Sequence, residues 1–449
     1  MSKQRIQLSD HFTYSRLLRF VLPCIGTMLF TSIYGIVDGL CVSNFVGKTA
    51  FAAVNLIMPL PMLLGTIGFM LGTGGSAIVG ITLGEGDQKK ADRYFTLFLL
   101  AALVSVSVLA VLGIVFLRPI AVLLGAKGEL LDYAVRYGRI LMVSLPTFAL
   151  QNMFQSFFVT AEKPHLGFWF TVGAGCTNMV LDVLMVGVWG WSVEGAAIAT
   201  FISQLVGGVL PVFYFVDRSN SSRLHLCQTK VYGGVLRDAC INGSSELMTN
   251  LSMSLVNILY NYQLLRLAGE NGVAAYGVIM YAAFLFVAVF VGYAVGSAPI
   301  VSFHYGARNH AEVHNLYRKS LRLIAVVAVT LTLASMFIIP CVARIFVGYD
   351  AELLALTSRA FRLYALSFLI MGFNVYASSF FTALGDGVTS ALISFLRTLA
   401  FQVIAILLLP LLLGIDGIWL AVTAAELAAL AVSAAMLLTK DKVFHYRKA

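Results

Sequence analysis

Thr177-Asn178-Met179-Val180-Leu181-Asp182 and, shortly after it, Gly195-Ala196-Ala197-Ile198-Ala199-Thr200 are the stretches around which this chain is organised. The first puts an amide and a carboxylate four residues apart, on one face of an apolar helix. The second opens the next apolar run with small residues and then offers a hydroxyl. A carboxylate at membrane depth is costly, so it marks a functional site and calls for partners. One candidate partner lies far upstream: Asp38, inside the first apolar run.

The setting follows from composition. The 449 residues are 59% hydrophobic and 11% charged, with a mean hydropathy of +0.89. A soluble domain cannot hide that much apolar surface, whereas about 20 consecutive apolar residues span a bilayer. The reading is an all-α membrane protein with twelve transmembrane helices. The spans fall at 17–42, 51–83, 94–117, 133–160, 166–188, 194–216, 240–265, 272–303, 320–341, 353–382, 388–412 and 417–438. Met1 to Ser15 is polar and the first apolar run lacks a small-residue cleavage site, so that span reads as an anchor. The six cysteines show no paired spacing, which argues against disulfides and zinc.

Charge distribution orients the chain. With a cytoplasmic N-terminus, twenty of the thirty Lys and Arg fall on the inside, nine on the outside, and Arg397 within a span. The positive-inside rule then places both termini in the cytoplasm of a cell inner (cytoplasmic) membrane. The net charge of +9 is thus a topology signal and a contact for anionic membrane lipid, not a nucleic-acid footprint. The expected organisation is a cytoplasmic segment 1–16, an N-lobe 17–216, a polar cytoplasmic linker 217–232, a C-lobe 233–438 and a cytoplasmic tail 439–449.

The lobes are repeats. At a shift of 222 residues Gly47 meets Gly269, Ala52-Ala53 meets Ala274-Ala275, and Gly74, Gly84 and Gly195 meet Gly296, Gly306 and Gly417. At 223, Arg136 meets Arg359, and Ser156-Phe157-Phe158 meets Ser379-Phe380-Phe381. Six spans per repeat return the chain to the same side. The two six-helix lobes are therefore related by a pseudo-two-fold along the membrane normal, an architecture associated with alternating-access transport. The loops after the second span of each half, Gly84–Asp92 and Gly306–Glu312, read as helix breaks and solvated turns.

Polar residues at membrane depth lie in stripes. Thr27, Thr31, Tyr34 and Asp38 share one face of the first span, and Thr171, Gly175, Asn178 and Asp182 one face of the fifth. Thr200 and Gln204 fall on one side of the sixth. Lipid cannot satisfy such faces, so they meet protein or water. Two desolvated carboxylates in one pocket favour keeping a proton between them. With Asn178 and Thr200 oxygens, the same pair suits Na+ instead. The C-lobe carries a different set: Glu246, Asn250 and Asn257 on one helix, Arg397 in the eleventh span and Glu426 in the twelfth. These are substrate-cavity candidates together with Gln204, the repeat partner of Glu426. Arg397 and Glu426 also suit a buried ion pair that fixes packing, and Glu246 a place at a helix N-terminus. Pro23, inside the first span, is a candidate hinge.

Asn178…Asp182 followed by Gly195-Ala196-Ala197-Ile198-Ala199-Thr200 and Gln204 resembles the fifth–sixth helix signature of the MATE (multidrug and toxic compound extrusion) transporters. Ile33-Tyr34-Gly35-Ile36-Val37-Asp38-Gly39, with Gly47 and Ala52-Ala53, resembles that family's first two helices. The likeness extends over residues 15–438 and is closest to the bacterial branch that includes the staphylococcal multidrug exporter. It implies secondary active efflux of organic cations, drugs or dyes by antiport with H+ or Na+, without cofactors. It also implies an N-lobe cation or proton site at Asp38, Asn178, Asp182 and Thr200, with Tyr34 nearby, and bending at Pro23. The family's tenth-helix acid has no counterpart within 353–382, and Glu246 is a possible substitute.

The alternative is a lipid-linked saccharide flippase of the same wider superfamily. An intramembrane enzyme would need a nucleophile–base pair or a ligand cluster such as HExxH, and the sequence has none. A passive channel is disfavoured by the two-lobe repeat. Because one chain contains both lobes, a monomer is sufficient for function.

Overall fold

The structure, a computed structural model, describes residues 6–46, 48–348 and 350–446. Gly47, used above in the repeat, lies outside them. The N-lobe contains α1 (Tyr14–Phe45), α2 (Lys48–Ile57), α3 (Pro59–Gly84), α4 (Gln88–Leu123), α5 (Glu129–Thr160), α6 (Pro164–Asp182), α7 (Ser192–Gly208) and α8 (Leu210–Val216). A π-helical turn, Val183–Val188, extends α6. The C-lobe contains α9 (Gly233–Asn242), α10 (Ser244–Gly306), α11 (His310–Val347), α12 (Ala351–Ala365), α13 (Phe368–Ala383), α14 (Gly387–Phe395), α15 (Phe401–Leu413), α16 (Ile415–Thr439) and α17 (Asp441–Phe444). A second π turn, Leu396–Ala400, joins α14 to α15.

Twelve spans can be counted from these elements. Among the described residues, nine helices are individually long and apolar enough to cross a bilayer. The pair α12–α13, bent by 46°, adds a tenth. Helix α10 holds two spans, separated at Gly269, whose φ of 60° and ψ of −150° suit a residue without Cβ. Helix α5 is the twelfth; four charged residues in its first turns and Gln151, Asn152 and Gln155 further along dilute its hydropathy.

Three details differ from the expected spans. Residues 233–242 form a separate short helix, so the seventh span starts at Ser244 rather than 240. The run 51–83 is interrupted at Met58, where Pro59 and Pro61 withhold backbone donors. Helix α1, by contrast, is continuous through Pro23, and the Thr27 hydroxyl donates to the Pro23 carbonyl at 2.9 Å.

The loops after the second span of each lobe are helix starts. Asp87 accepts from the Lys90 amide at 3.0 Å, and its repeat partner Asn309 accepts from the Glu312 amide at 3.2 Å. Gly86 and its partner Arg308 both take a left-handed backbone, with φ of 88° and 55°.

The lobes meet about the pseudo-two-fold along α3 and α10. A Cβ on Gly84 would lie 2.0 Å from the Phe303 carbonyl oxygen, and one on Gly306 would lie 2.0 Å from that of Ile81. Shifting by 222 converts the first contact into the second. In the same way, Gly74 against Gly243 matches Gly296 against Val21. Gly84 and Gly306 are thus where the two backbones touch, in the reciprocal manner of a two-fold interface, whereas Gly296 meets the side chains of Val21 and Cys24. The Gly84 and Gly306 contacts lie at the ends of α3 and α10, and those of Gly74 and Gly296 ten residues further in.

The end at which α3 and α10 meet is further strapped by the N-terminal segment. The Leu8 amide donates to Glu162 Oε1 at 2.9 Å, and the Phe12 amide to Glu312 Oε1 at 2.8 Å. His11 Nδ1 lies 2.6 Å from Glu312 Oε2, while Arg223 of the linker holds Glu162 at 2.5 Å. Glu162 belongs to the N-lobe and Glu312 to the C-lobe, so residues 8–12 bridge the two. Leu8 and Phe12 are fully buried there.

Candidate functional site

The N-lobe polar stripes face one another. Gly175, one turn before Asn178, is required for this: a Cβ there would sit 2.5 Å from Phe30 and 3.1 Å from Tyr34, so its absence lets α1 close on α6. Tyr34 and Asp38 on α1 are thereby brought to Asn178 and Asp182 on α6. Asp182 is fully buried and Asn178 nearly so. The Asp38 and Asp182 carboxyl groups lie within electrostatic reach of each other, and Tyr34 within that of Asp38. Asp38 Oδ1, both Asp182 oxygens and both amide atoms of Asn178 are buried without a protein hydrogen-bond partner.

The helix changes character at this point. Asp182 is the last residue of α6, and the π turn beginning at Val183 accommodates one more residue per turn, re-aiming the chain beyond the carboxylate. Thr200 on α7 is partly buried, and its side chain makes no hydrogen bond to either carboxylate. Gln204 also lies in this lobe, its Oε1 buried without a partner.

Two residues join the site that sequence reasoning missed. Tyr137 of α5 is buried within the electrostatic reach of both carboxylates, and its hydroxyl donates to Met58 Sδ at 3.8 Å. Cys41, one turn beyond Asp38, senses both as well. For Cys41 the helical spacing from Asp38 was a usable signal. For Tyr137, one tyrosine of eighteen on a separate span, there was none.

The C-lobe set gathers around a cavity of about 300 Å³. Glu246, Asn257, Tyr260, Tyr276, Arg397 and Glu426 line it. Asn250 and Gln204, expected among its walls, do not; the Asn250 amide instead donates to the Glu246 carbonyl at 2.9 Å. Arg397 and Glu426 form a buried ion pair, Nε to Oε1 at 2.8 Å. The other Glu426 oxygen accepts from Asn374 Nδ2 at 2.7 Å, and Asn374 Oδ1 accepts from Ser433 at 2.9 Å. Asn374 is thus a further polar anchor that the sequence reading did not single out. Glu246 lies in the first turn of α10, and its side chain has no ion pair or hydrogen bond among the described residues.

Chemically, the lobes are unlike. The N-lobe presents several unpartnered oxygens from two carboxylates and an amide, a donor set that suits a proton or a small hard cation. The C-lobe cavity holds two carboxylates against one guanidinium amid aromatic and apolar walls, so it favours a cationic guest.

The MatE family model matches residues 23–184 and again 247–408, once in each lobe. The multidrug export protein MepA of Staphylococcus saprophyticus is 21% identical over 436 residues, covering 96% of this chain and 95% of that protein. MepA of Staphylococcus aureus is 22% identical over 433 residues, with the same coverage. Among solved structures, the outward-facing conformation of a multidrug resistance MATE family transporter of the MOP superfamily superposes with a TM-score of 0.91 at 22% identity, each chain covered completely.

Proposed function

The chain belongs to the MatE family, and from that premise we propose that it is a secondary active efflux transporter of organic cations, drugs or dyes, driven by inward H+ or Na+. The observation that carries the reading is the Asp38–Asp182 pair: two mutually close carboxyl groups with buried, unpartnered oxygens in one lobe, while a guest-sized cavity with a free carboxylate lies in the other. The relatives' function as multidrug export proteins supports the direction of transport.

In this mechanism the N-lobe holds the coupling ion and the C-lobe cavity the drug. A proton shared by Asp38 and Asp182, or Na+ among their oxygens and the Asn178 carbonyl, removes the repulsion between two desolvated charges. Losing it restores the repulsion and favours a different packing of α1 on α6. Helix α1 carries that change to the other lobe, because Ile25 and Cys24 pack on Gly292 and Gly296 of α10. Pro23, adjacent to this contact, is the proposed hinge. Thr200 contributes to the ion site only after such a rearrangement.

We assign the strapped, glycine-packed end to the cytoplasm, as the basic residues require. The conformation described is then closed inward, and alternating access needs that end to open. The protein acts as a monomer in the cell inner membrane, with both termini cytoplasmic. The lipid-linked saccharide flippase is set aside, because the full-length relatives are multidrug export proteins and the cavity, lined mainly by the C-lobe with Thr73, Ser76 and Ser156 of the N-lobe, carries two carboxylates against one guanidinium.

The test is dye transport in proteoliposomes under a proton gradient and a sodium gradient imposed separately. Asp38→Asn and Asp182→Asn should each abolish gradient-driven export while leaving the protein folded, and the effective gradient names the ion. Wild-type transport in both folded variants would refute the ion site.

A further inference from the structure

We propose that a groove between the first turns of α4 and the linker between the lobes binds a phosphate group, that of an anionic membrane lipid, through Lys89, Arg93 and Arg218. The inference concerns a site apart from both the acid pair and the C-lobe cavity.

The groove exists because the linker is pinned along α4. Gln88 Nε2 donates to the Arg223 carbonyl at 2.6 Å, the His225 amide to Asp92 Oδ1 at 3.1 Å, and the Cys227 amide to Thr96 Oγ1 at 3.1 Å. The Thr229 hydroxyl donates back to the Arg93 carbonyl at 2.9 Å. Beside these contacts lies a cavity of about 460 Å³, lined by Lys89, Asp92, Arg93, Arg218 and His225 with two further linker residues. Its volume falls within the roughly 300–1,000 Å³ of small-molecule sites.

Its walls set three cations against one carboxylate. Lys89, Arg93 and Arg218 are exposed, and their side chains have no ion pair or hydrogen bond among the described residues. Asp92 is already engaged, since Oδ1 accepts from Gln88 at 3.1 Å as well as from the His225 amide. Asp217, beside Arg218 in the chain, turns to the Ser219 amide and hydroxyl at 2.9 and 3.0 Å and does not line the groove. His225 Nε2 is buried without a partner. Unspent donors of positive charge converging on one cavity suit the oxygens of a phosphate.

The repeat does not call for these cations. At a shift of 222, Lys89 and Arg93 meet Ala311 and Asn315. The Asn315 amide is spent inside the protein, on the Phe12 carbonyl at 3.2 Å and Glu312 Oε1 at 2.8 Å. The matching edge of the C-lobe is thus closed by the chain itself, whereas that of the N-lobe is left open.

Position assigns the phosphate to a lipid. Arg93 and Arg118 bracket 24 residues of α4 without a charge. At 1.5 Å per residue these cover about 36 Å, slightly more than the hydrocarbon core of about 30 Å, so Arg93 stands at headgroup depth. Leu100, Val104 and Val111 follow Arg93 by close to whole helical turns and share its face. They are 45%, 62% and 61% exposed, a stripe open to acyl chains. A lipid lying on that stripe brings its phosphate to Arg93 and Lys89. Free phosphate gains nothing from it.

The test is native mass spectrometry of the purified full-length protein, released from micelles and titrated with phosphatidic acid or with phosphatidylcholine of the same chains. Lys89→Gln/Arg93→Gln/Arg218→Gln should weaken the first phosphatidic acid bound by about tenfold or more and leave phosphatidylcholine unchanged. The control Lys90→Gln/Lys230→Gln/Arg237→Gln removes three exposed cations that do not line the groove, and should bind as wild type does. Wild-type affinity for phosphatidic acid in the groove variant would overturn the proposal. So would an equal loss in the control, which would reduce the effect to net charge. Glycerol 3-phosphate and inorganic phosphate carry the group without acyl chains and should not displace the lipid at millimolar concentration. Displacement by either would overturn the lipid assignment in favour of a site for free phosphate.

Discussion

Gly306→Ala should open the end at which α3 and α10 meet. A Cβ at this position would stand 2.0 Å from the Ile81 carbonyl oxygen and 2.7 Å from its carbonyl carbon. An ordinary contact needs 3.4 Å, so α3 and α10 must separate by about 1.4 Å. The obstacle is backbone inside a helix, so no side-chain rotation relieves it. Overpacking of this kind costs roughly 1–3 kcal/mol. In the proposed transport cycle the contact is broken when this end opens, so the penalty falls on the arrangement described here and shifts the equilibrium by roughly 5- to 150-fold. Spin labels at Lys90 and Ala311, both exposed and on opposite lobes at this end, would report the change by electron–electron distance. The exposed Cys176 and Cys341 are first replaced. The variant should show a second, longer distance and reduced export, and Gly84→Ala should do the same through Phe303. Gly277→Ala, where a Cβ meets nothing within 4 Å, is the control. An unchanged distance distribution with wild-type export in Gly306→Ala would refute the argument that backbone contact at these glycines holds the end shut.

Other outcomes follow from local geometry. Glu312→Gln weakens two contacts to the N-terminal segment, so hydrogen exchange at residues 8–12 should accelerate by roughly tenfold or more, given about 1.5–3 kcal/mol for a charged hydrogen bond; unchanged protection would mean that the strap does not depend on this carboxylate. Tyr137→Phe removes a buried hydroxyl within electrostatic reach of both carboxylates and should weaken ion-driven export with little loss of thermal stability; full activity would reduce Tyr137 to packing. Burial pushes the Asp386 carboxyl up, but Lys440 at 2.8 Å and the Thr389 amide and hydroxyl outweigh it and hold it below its ordinary 3.8. Its contribution is therefore present at neutral pH and lost as pH falls through the lowered value. Asp386→Ala should cost about 1 kcal/mol at pH 7 through the lost cap alone. The melting difference from wild type should vanish in strong acid; a gap that persists there would refute the assignment.

Much of the site could be read from spacing. Asp38 with Tyr34, and Asp182 with Asn178, are four apart on apolar helices, and a polar face in lipid must find a partner. That each stripe would find the other was a fair expectation, since both belong to one lobe. Thr200 was singled out from its place in the sixth span as well as from the resemblance, and it makes no hydrogen bond to the pair, because the rotation of α7 about its axis is not encoded in the order of its residues. Arg397 and Glu426, 29 residues apart, could equally have been solvated, paired or opposed. Their pairing through Nε alone, which leaves the guanidinium edge open, depends on Asn374 occupying the second oxygen of Glu426. Nothing in the spacing of those three residues foretells it.

The sequence by itself determined that the chain crosses a bilayer twelve times in two repeated lobes, because hydrophobic length, basic flanks and a 222-residue echo are properties of consecutive residues. It also marked the glycines, but not their purpose. Only the tertiary structure decided that Gly84 and Gly306 meet each other's helix across the pseudo-two-fold, that the acids of the N-lobe lie together without partners, and that Asn250 and Gln204 stand outside the C-lobe cavity. The physical reason is that side-chain direction and helix rotation are set by packing between segments hundreds of residues apart. A backbone contact of 2.0 Å at a missing Cβ exists only once two helices have been brought together.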